Sequence, residues 1–301
     1  MSTPTVIAVL GPTASGKTEW SIRLAEHFGC HILSCDSRQF YRELNIGVAR
    51  PTPNELSRAP HHFIADRSIQ TPLSAGEYER EALELLASLH ADNPVQIVVG
   101  GSGLFAKALF EGFDDMPEVD PAIREELNAI AANEGVEPLA QRLQELDPIH
   151  AVKVDLQNPQ RVIRALEICI QTGKPYSEFR TGLKAERPFK IIKVAPDWER
   201  ELLYQRINSR VDIMVEAGLE AEAQSVYAYR ETTALQTVGY REWFDHFDGA
   251  ISRDEAIDKI KQNSRNYAKR QLTWNRKESG LLLYKPEEYD VMLDSIQQKL
   301  D

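Results

Sequence analysis

A run of β-branched and apolar residues, Thr5 to Leu10, leads directly into Gly11-Pro12-Thr13-Ala14-Ser15-Gly16-Lys17-Thr18. A helical pattern follows from Glu19 to Phe28, with Trp20, Leu24 and Phe28 on one side, and Gly29 stops it. No other feature limits the fold as tightly. Strand, G-x-x-x-x-G-K-[ST] loop and helix in that order form a P-loop, a motif carried by a strand of an α/β sheet. The glycines let successive backbone N–H groups converge on phosphate oxygens. The helix N-terminus adds a partial positive charge and Lys17 a full one. Thr18 offers a hydroxyl suited to Mg2+. Gly11, Pro12, Thr13, Ala14, Ser15, Gly16, Lys17 and Thr18 are therefore expected to cradle phosphate. The loop leaves the reaction open. Most such loops serve nucleotide phosphate chemistry, yet a diphosphate on any other group fits the same cradle.

The rest of the pattern extends this unit. His31 to Cys35 reads as a second strand ending at Asp36, and Asn45 to Pro60 as loop. Ser74 to His90 is an amphipathic helix opened by a Ser74/Glu77 capping box. Val95 to Val99 is another buried strand, running into Gly100, Gly101 and Gly103 before a helix from Leu104 to Phe110. Alternation of this kind predicts a parallel sheet covered on both faces. From Pro121 to Gly173 the periodicity is helical only, broken at Gly135–Pro138, Asp147–Pro148 and Asn158–Pro159. Strand character returns at Phe189 to Val194. From Glu199 the chain is helical, except for an apolar run, Leu281 to Tyr284, placed to close a sheet edge. The expected fold class is α/β, a P-loop NTPase-like parallel sheet core with an all-helical insertion domain. The core takes residues 1–113 and 187–301 and the insert 114–186.

Composition narrows the setting. The chain has 301 residues, 42% hydrophobic, enough for one sizeable core with an appended subdomain. No apolar run approaches the roughly 18 to 20 residues needed to span a bilayer. The apolar run near the N-terminus is too short for a signal peptide, so a cytoplasmic protein is expected. Cys30, Cys35 and Cys169 have no metal-binding spacing and read as small buried residues. The His61-His62 pair reads as loop, short of a third metal ligand, and Trp198, Trp243 and Trp274 read as core. The net charge of −11 opposes nucleic-acid binding overall. Local charge matters more: basic residues are frequent from Arg161 to Lys193 and again from Lys259 to Lys277.

Asp36 closes the second strand, and ligands in open α/β sheets bind beyond the carboxyl ends of strands. It should face the phosphate cradle as a general base, as a Mg2+ partner or as a turn aspartate. From Asp36 onward the motifs form an ordered series. Asp36-Ser37-Arg38-Gln39-Phe40-Tyr41 is followed by Gly47 to Pro51, then by Pro60-His61-His62. Gly100 to Phe105 comes next, then Asn158 to Glu167, Arg210 to Met214 with Gly218-Leu219, Val238 to Glu242, and Arg265 to Trp274. Together with the P-loop, their order and spacing resemble the tRNA dimethylallyltransferase (tRNA isopentenyltransferase) family along the whole chain.

That resemblance implies a transferase whose P-loop holds the diphosphate of dimethylallyl diphosphate. The acceptor would be the exocyclic 6-amino group of the adenosine 3′ of the anticodon, tRNA position 37. Such an amine is delocalised into the ring and must lose a proton as it attacks, a task for a nearby carboxylate. Asp36 matches the family's catalytic aspartate. Lys17 and Thr13 match the groups facing the leaving diphosphate, although a loop-stabilising turn is an equal role for the Thr13 hydroxyl. Asp36, Ser37, Arg38 and Gln39 match a segment that meets tRNA, as do Gln160, Arg161, Val162, Ile163 and Arg164. Ser102 stands for a family threonine that touches the target nucleotide, and Arg124 for an arginine near the diphosphate and the RNA. Mg2+, held at Thr18, is the cofactor implied, and tRNA and dimethylallyl diphosphate are the partners, with no membrane and a monomer expected.

The chain departs from the family pattern at Val48, where threonine is usual, and at Phe105, where tyrosine is usual. Three other functions share parts of this pattern. A small-molecule kinase should show an acid where Val95 to Val99 ends in glycines. An adenylate isopentenyltransferase has no need of a tRNA-gripping insert. A silent RNA-binding paralogue would not need Lys17, Thr18 and Asp36 intact.

Overall fold

The computed structural model describes residues 3–300. The chain divides into two compact units: one runs to Glu111 and resumes at Glu186, and the other is Gly112–Ala185. The first unit carries six strands: β1 Thr5–Leu10, β2 Ile32–Ser34, β3 His61–His62, β4 Val95–Gly100, β5 Lys190–Pro196 and β6 Leu281–Tyr284. All pair in parallel, in the order β3-β2-β4-β1-β5-β6. The apolar run Leu281 to Tyr284 thus forms an edge strand, as its composition predicts.

β1 lies between β4 and β5 and is buried along its whole length. Side chains alternate across a pleated strand, so Val6, Ala8 and Leu10 enter one core while Ile7 and Val9 enter another. A sheet covered on both faces needs this continuous apolar sequence. Helices α1 Lys17–Phe28 and α14 Tyr289–Leu300 supply Trp20, Ile22, Leu24, Met292 and Ile296 to the second core. The first core is closed by α3 Ala75–Asp92, α4 Gly103–Glu111, α11 Leu219–Val226, α12 Arg241–Phe247 and α13 Arg253–Asn275. The remaining long helix of this unit, α10 Arg200–Glu216, packs on α13. Each fully buried Val, Leu or Ile contributes about 1.5–3 kcal/mol.

Between β2 and β3 the sequence reads as loop, yet Pro53–Arg58 forms a short helix, α2. Pro53 is the reason it escapes notice. Proline breaks a helix interior but suits its first turn, and Thr52 and Glu55 close a capping box around it. His61 and His62 are likewise in a strand, where His62 Nε2 meets His31 Nδ1 at 2.8 Å.

The second unit is helical: α5 Pro121–Glu134, α6 Glu137–Leu146, α7 Pro148–Ala151, α8 Pro159–Thr172 and α9 Tyr176–Phe179. Its own core gathers Leu127, Leu139, Leu143, Val162, Ile163 and Leu166. Asp147, fully buried, ends α6 and accepts hydrogen bonds from His150 N, Ser177 N and the Ser177 hydroxyl, fixing the α6–α7 corner.

Candidate active site

Every strand of the sheet is parallel, so the loops after β1, β2, β4 and β5 leave from the same edge. The loop after β1 is the P-loop. Gly16, with φ 89°, stands in the left-handed region, and so does Ala14, at φ 61°. An alanine there is uncommon. The alternation turns successive N–H groups toward one side, the geometry of an anion nest. Inside this loop the Ser15 hydroxyl is buried without a hydrogen-bond partner. Lys17 Nζ donates to Pro12 O at 2.7 Å. Burial pushes the Lys17 ammonium down to about 8, while Asp36 pulls the other way.

The loop after β2 begins at Asp36, whose Oδ1 accepts from Arg38 N at 3.1 Å. Four residues on, Phe40 is buried in an aromatic cluster with Tyr78 and Phe105, at centroid distances of 5.6 and 5.5 Å. That cluster anchors the loop and leaves Asp36 at the cavity wall. Arg38 donates to Thr233 O and Ala234 O, and Gln39 donates to Ala49 O at 3.0 Å. Both side chains therefore shape the loop as well as line the cavity.

The loop after β4 must come close to the loop after β2. A Cβ on Gly100 would meet Cys35 Sγ at 2.5 Å and Cys35 backbone carbon at 2.8 Å, so only glycine fits. Ser102 Oγ accepts from Ser37 N at 3.1 Å and lies 3.1 Å from Ser37 Oγ. Burial pushes the Cys35 thiol up to about 12, so it stays neutral beside the cavity.

Helices α10 and α13 complete the site. Arg210 Nη1 reaches the Thr13 hydroxyl at 3.4 Å, and burial lowers its pKa while Asp36 opposes the shift. Arg206 donates to Ala14 O at 2.9 Å and lies 4.4 Å over the Trp198 ring, whose Nε1 donates to Ser15 O at 2.8 Å. Trp198 is thus a half-buried brace of the P-loop, while Trp243 is fully buried core. From α13, Gln271 accepts from Thr13 N and donates to Gly101 O, each at 2.9 Å. Tyr267 lies against Ser102, and burial pushes its hydroxyl up to about 12.

These groups enclose one cavity of about 150 Å³. Thr13, Lys17, Thr18, Asp36 and Arg210 line its polar part. Val48, Val211, Met214, Leu219, Val238 and Ile260 give it an apolar wall. Lys17, Arg38 and Arg210 line the cavity against one carboxylate, Asp36, a balance that favours a multiply charged anion. Among the described residues no three His, Cys, Asp or Glu side chains group to hold a metal. Thr18 and Asp36 are nevertheless suited to Mg2+, which takes one or two protein ligands and completes its shell with water and substrate phosphate.

A family model described as IPP transferase matches residues 39–278. The chain is 49% identical over 296 residues to the tRNA dimethylallyltransferase of Cytophaga hutchinsonii, covering 98% of this chain and 97% of that one. The chain belongs to the tRNA dimethylallyltransferase family. The tRNA dimethylallyltransferase 1 of Bacteroides fragilis is 46% identical over the full length of both chains. The crystal structure of the tRNA isopentenylpyrophosphate transferase from Bacillus halodurans is 35% identical, with a TM-score of 0.73, over 99% of this chain and 97% of that one. A solved eukaryotic dimethylallyltransferase acting on tRNA is 26% identical, with a TM-score of 0.77, over 94% of this chain and 75% of that one.

The sequence-derived site residues of this dimethylallyltransferase relative fall into two groups. Gly11 to Thr18, Asp36 to Gln39 and Ser102 come together in the first unit. Arg124, Gln160, Arg161 and Arg164 lie in the second, on α5 and α8, with Gln160 and Arg161 exposed. Arg124 and Arg164 share the carboxylate of Glu167, whose side chain is fully buried. Val162 and Ile163 of the same segment turn their side chains inward. They are 0% and 6% exposed and belong to the helical core, because they occupy the inward face of α8. Arg210, Gln271 and Tyr267 lie inside matched motifs, but nothing in their local spacing assigns them a role.

Proposed function

We propose that this protein transfers a dimethylallyl group from dimethylallyl diphosphate to the 6-amino group of the adenosine 3′ of the anticodon in tRNA. The adenine nitrogen attacks the first allylic carbon, the bond from that carbon to oxygen breaks, and diphosphate leaves. Asp36 takes the proton that the amine loses, a contribution of typically 10²–10⁴-fold. Lys17, Arg210, Thr13 and the loop amides hold the diphosphate, whose charge rises as it leaves; interactions that strengthen in this way lower the barrier. Mg2+ at Thr18, with Asp36 beside it, would add charge neutralisation when bound.

The observation that carries this reading is the shared cavity: a phosphate cradle, a carboxylate and an apolar wall bound one volume. A phosphotransferase has no use for the wall formed by Val211, Met214 and Leu219. A five-carbon allyl group does.

The tRNA side rests on Ser37, Arg38 and Ser102 near the cavity, and on Arg124, Gln160, Arg161 and Arg164 of the helical unit, which grips the anticodon stem-loop. α13 adds a second basic surface. Lys269 and Arg270 near its C-terminal end, and Arg276 and Lys277 in the turn that follows it, are exposed, and none is ion-paired among the described residues. Local charge of this kind suits RNA phosphates on a chain of net charge −11. No described helix is long and apolar enough to cross a membrane, and we place the enzyme in the cytoplasm, acting as a monomer.

The test is transfer of label from dimethylallyl diphosphate to unmodified tRNA in the presence of Mg2+, with the product mapped to the loop adenosine. ATP turnover without transfer would overturn the proposal.

A further inference from the structure

Gln271 touches two loops of the site at once. It lies on α13, is 7% exposed, and uses both ends of its carboxamide. Oε1 accepts from Thr13 N and Nε2 donates to Gly101 O, both at 2.9 Å. Thr13 belongs to the cradle that faces the leaving diphosphate. Gly101 precedes Ser102, which binds Ser37 beside Asp36. One turn earlier on the same helix face, Tyr267 rests on Ser102. One turn later, Trp274 packs so closely on Gly103 that a Cβ there would meet the indole at 2.4 Å. The same face of α13 thus meets the glycine loop at consecutive turns, and Gln271 also hydrogen-bonds the P-loop.

We infer that Gln271 is a positioning residue for prenyl transfer: it fixes the separation between the diphosphate cradle and the loop that holds the acceptor side of the site. This rests on the proposed transferase reading. In a displacement reaction the nucleophile, the carbon and the leaving oxygen must stand in line at close range. Displacing one partner by about 1 Å can cost 10²-fold in rate. A carboxamide suits the task because it supplies an acceptor and a donor in one rigid plane. A carboxylate supplies no donor to Gly101 O and places a negative charge beside the leaving diphosphate.

Gly101 provides an independent way to break the bridge. Its φ is outside the left-handed region, so the backbone accepts alanine. A Cβ there would meet Gln271 Nε2 at 2.2 Å, however, and displace it, with a lesser close approach to Gly11 O at 3.2 Å. Gln271→Ala and Gly101→Ala therefore remove the same linkage from opposite sides.

The experiment measures single-turnover transfer, kcat and both KM values, with dimethylallyl diphosphate and tRNA, for the wild type, Q271A, G101A and the double variant. Each single variant is expected to lose about 10²-fold in kcat, with both KM values within about threefold of wild type. The double variant is expected to lose no more than Q271A alone, since residues acting through one contact are non-additive. Q271M, which keeps the side-chain volume, carries the same expectation if the alanine variant fails to fold. Hydrogen exchange of the P-loop peptide should quicken in all variants. Unchanged kcat in Q271A, losses that multiply in the double variant, or a rise in one KM alone would overturn the inference while leaving the transferase reading intact. A wild-type chain that transfers nothing would overturn that reading and this inference with it.

Discussion

The Arg210 guanidinium reaches the Thr13 hydroxyl at 3.4 Å, bringing a cation from α10 to a loop 197 residues earlier in the chain. Arg210 is buried, and burial pushes its pKa down against the pull of Asp36. A buried guanidinium beside an anion cradle costs stability in the free protein and gains a partner when diphosphate binds. The same contact meets Thr13, so in the proposed reaction Arg210 would serve both the charge and the geometry of the leaving group.

Arg210→Met should therefore separate activity from stability. Loss of one donor to a developing oxyanion typically costs about 10²–10³ in kcat. The thermal midpoint should hold or rise, because an apolar side chain replaces a desolvated cation. Steady-state kinetics and a thermal melt on the same preparation check both halves. A collapse of stability with unchanged kcat would assign Arg210 a packing role instead.

Asp36→Asn keeps the shape of the side chain and can still accept from Arg38 N, the contact now made by Oδ1. It removes the proposed base. Transfer should fall by about 10²–10⁴-fold, while dimethylallyl diphosphate binding, followed by calorimetry, changes little. A large loss of diphosphate affinity would instead mark Asp36 as mainly a partner of Mg2+.

Much of this site is legible in the sequence, and the limits have physical causes. Gly11 to Thr18 and Asp36 are readable because a contiguous loop at a strand end carries its own geometry. The covering of both sheet faces is readable in Val6 to Leu10, since each residue type answers to burial. Arg210, Tyr267 and Gln271 are not, because helix spacing says which residues share a face and not what that face meets. Val162 and Ile163 show the converse. A motif copied as a segment joins Arg161 and Arg164, which face outward, to two residues that the helix turns into the core. Pro53 misleads because one residue type stops a helix interior and favours its first turn.

Lys17 gives stability and ligand binding opposite pH dependence. Its folded pKa, about 8, lies below the ordinary lysine value of 10.5. Between those values the unfolded chain binds more protons than the folded one, so this group makes stability rise with pH. Over the same window the folded lysine loses the charge that attracts diphosphate. Affinity for dimethylallyl diphosphate should therefore weaken as pH rises through about 8, and Lys17→Met should flatten both trends. Thermal melts and calorimetric titrations from pH 7 to pH 10 would check this; parallel trends in both quantities would sink it.

In the helical unit, Glu167 decides how two arginines are held. Its buried carboxylate accepts from Arg124 at 2.7 and 2.6 Å and also from Arg164. Burial pushes its pKa up, but the two guanidiniums outweigh this and hold it below the usual 4.5. The contribution is thus present above about pH 4.5 and lost as pH falls through the lower folded value. The two sides of the cluster are not equivalent. Arg124 and Arg164 are 56% and 41% exposed, whereas Glu167 is 0% exposed. Removing the carboxylate leaves cations that water can solvate. Removing both arginines leaves a desolvated, unpaired charge, a change that typically costs about 3–5 kcal/mol. The double variant R124M/R164M should therefore be less stable than E167Q, and adding E167L to the double variant should restore most of the loss. Urea unfolding at pH 7 measures the difference. Repeating it in acid should shrink the gap, because a protonated Glu167 no longer needs its partners. If the triple variant is no more stable than the double one at pH 7, the buried carboxylate is not what makes the arginines necessary.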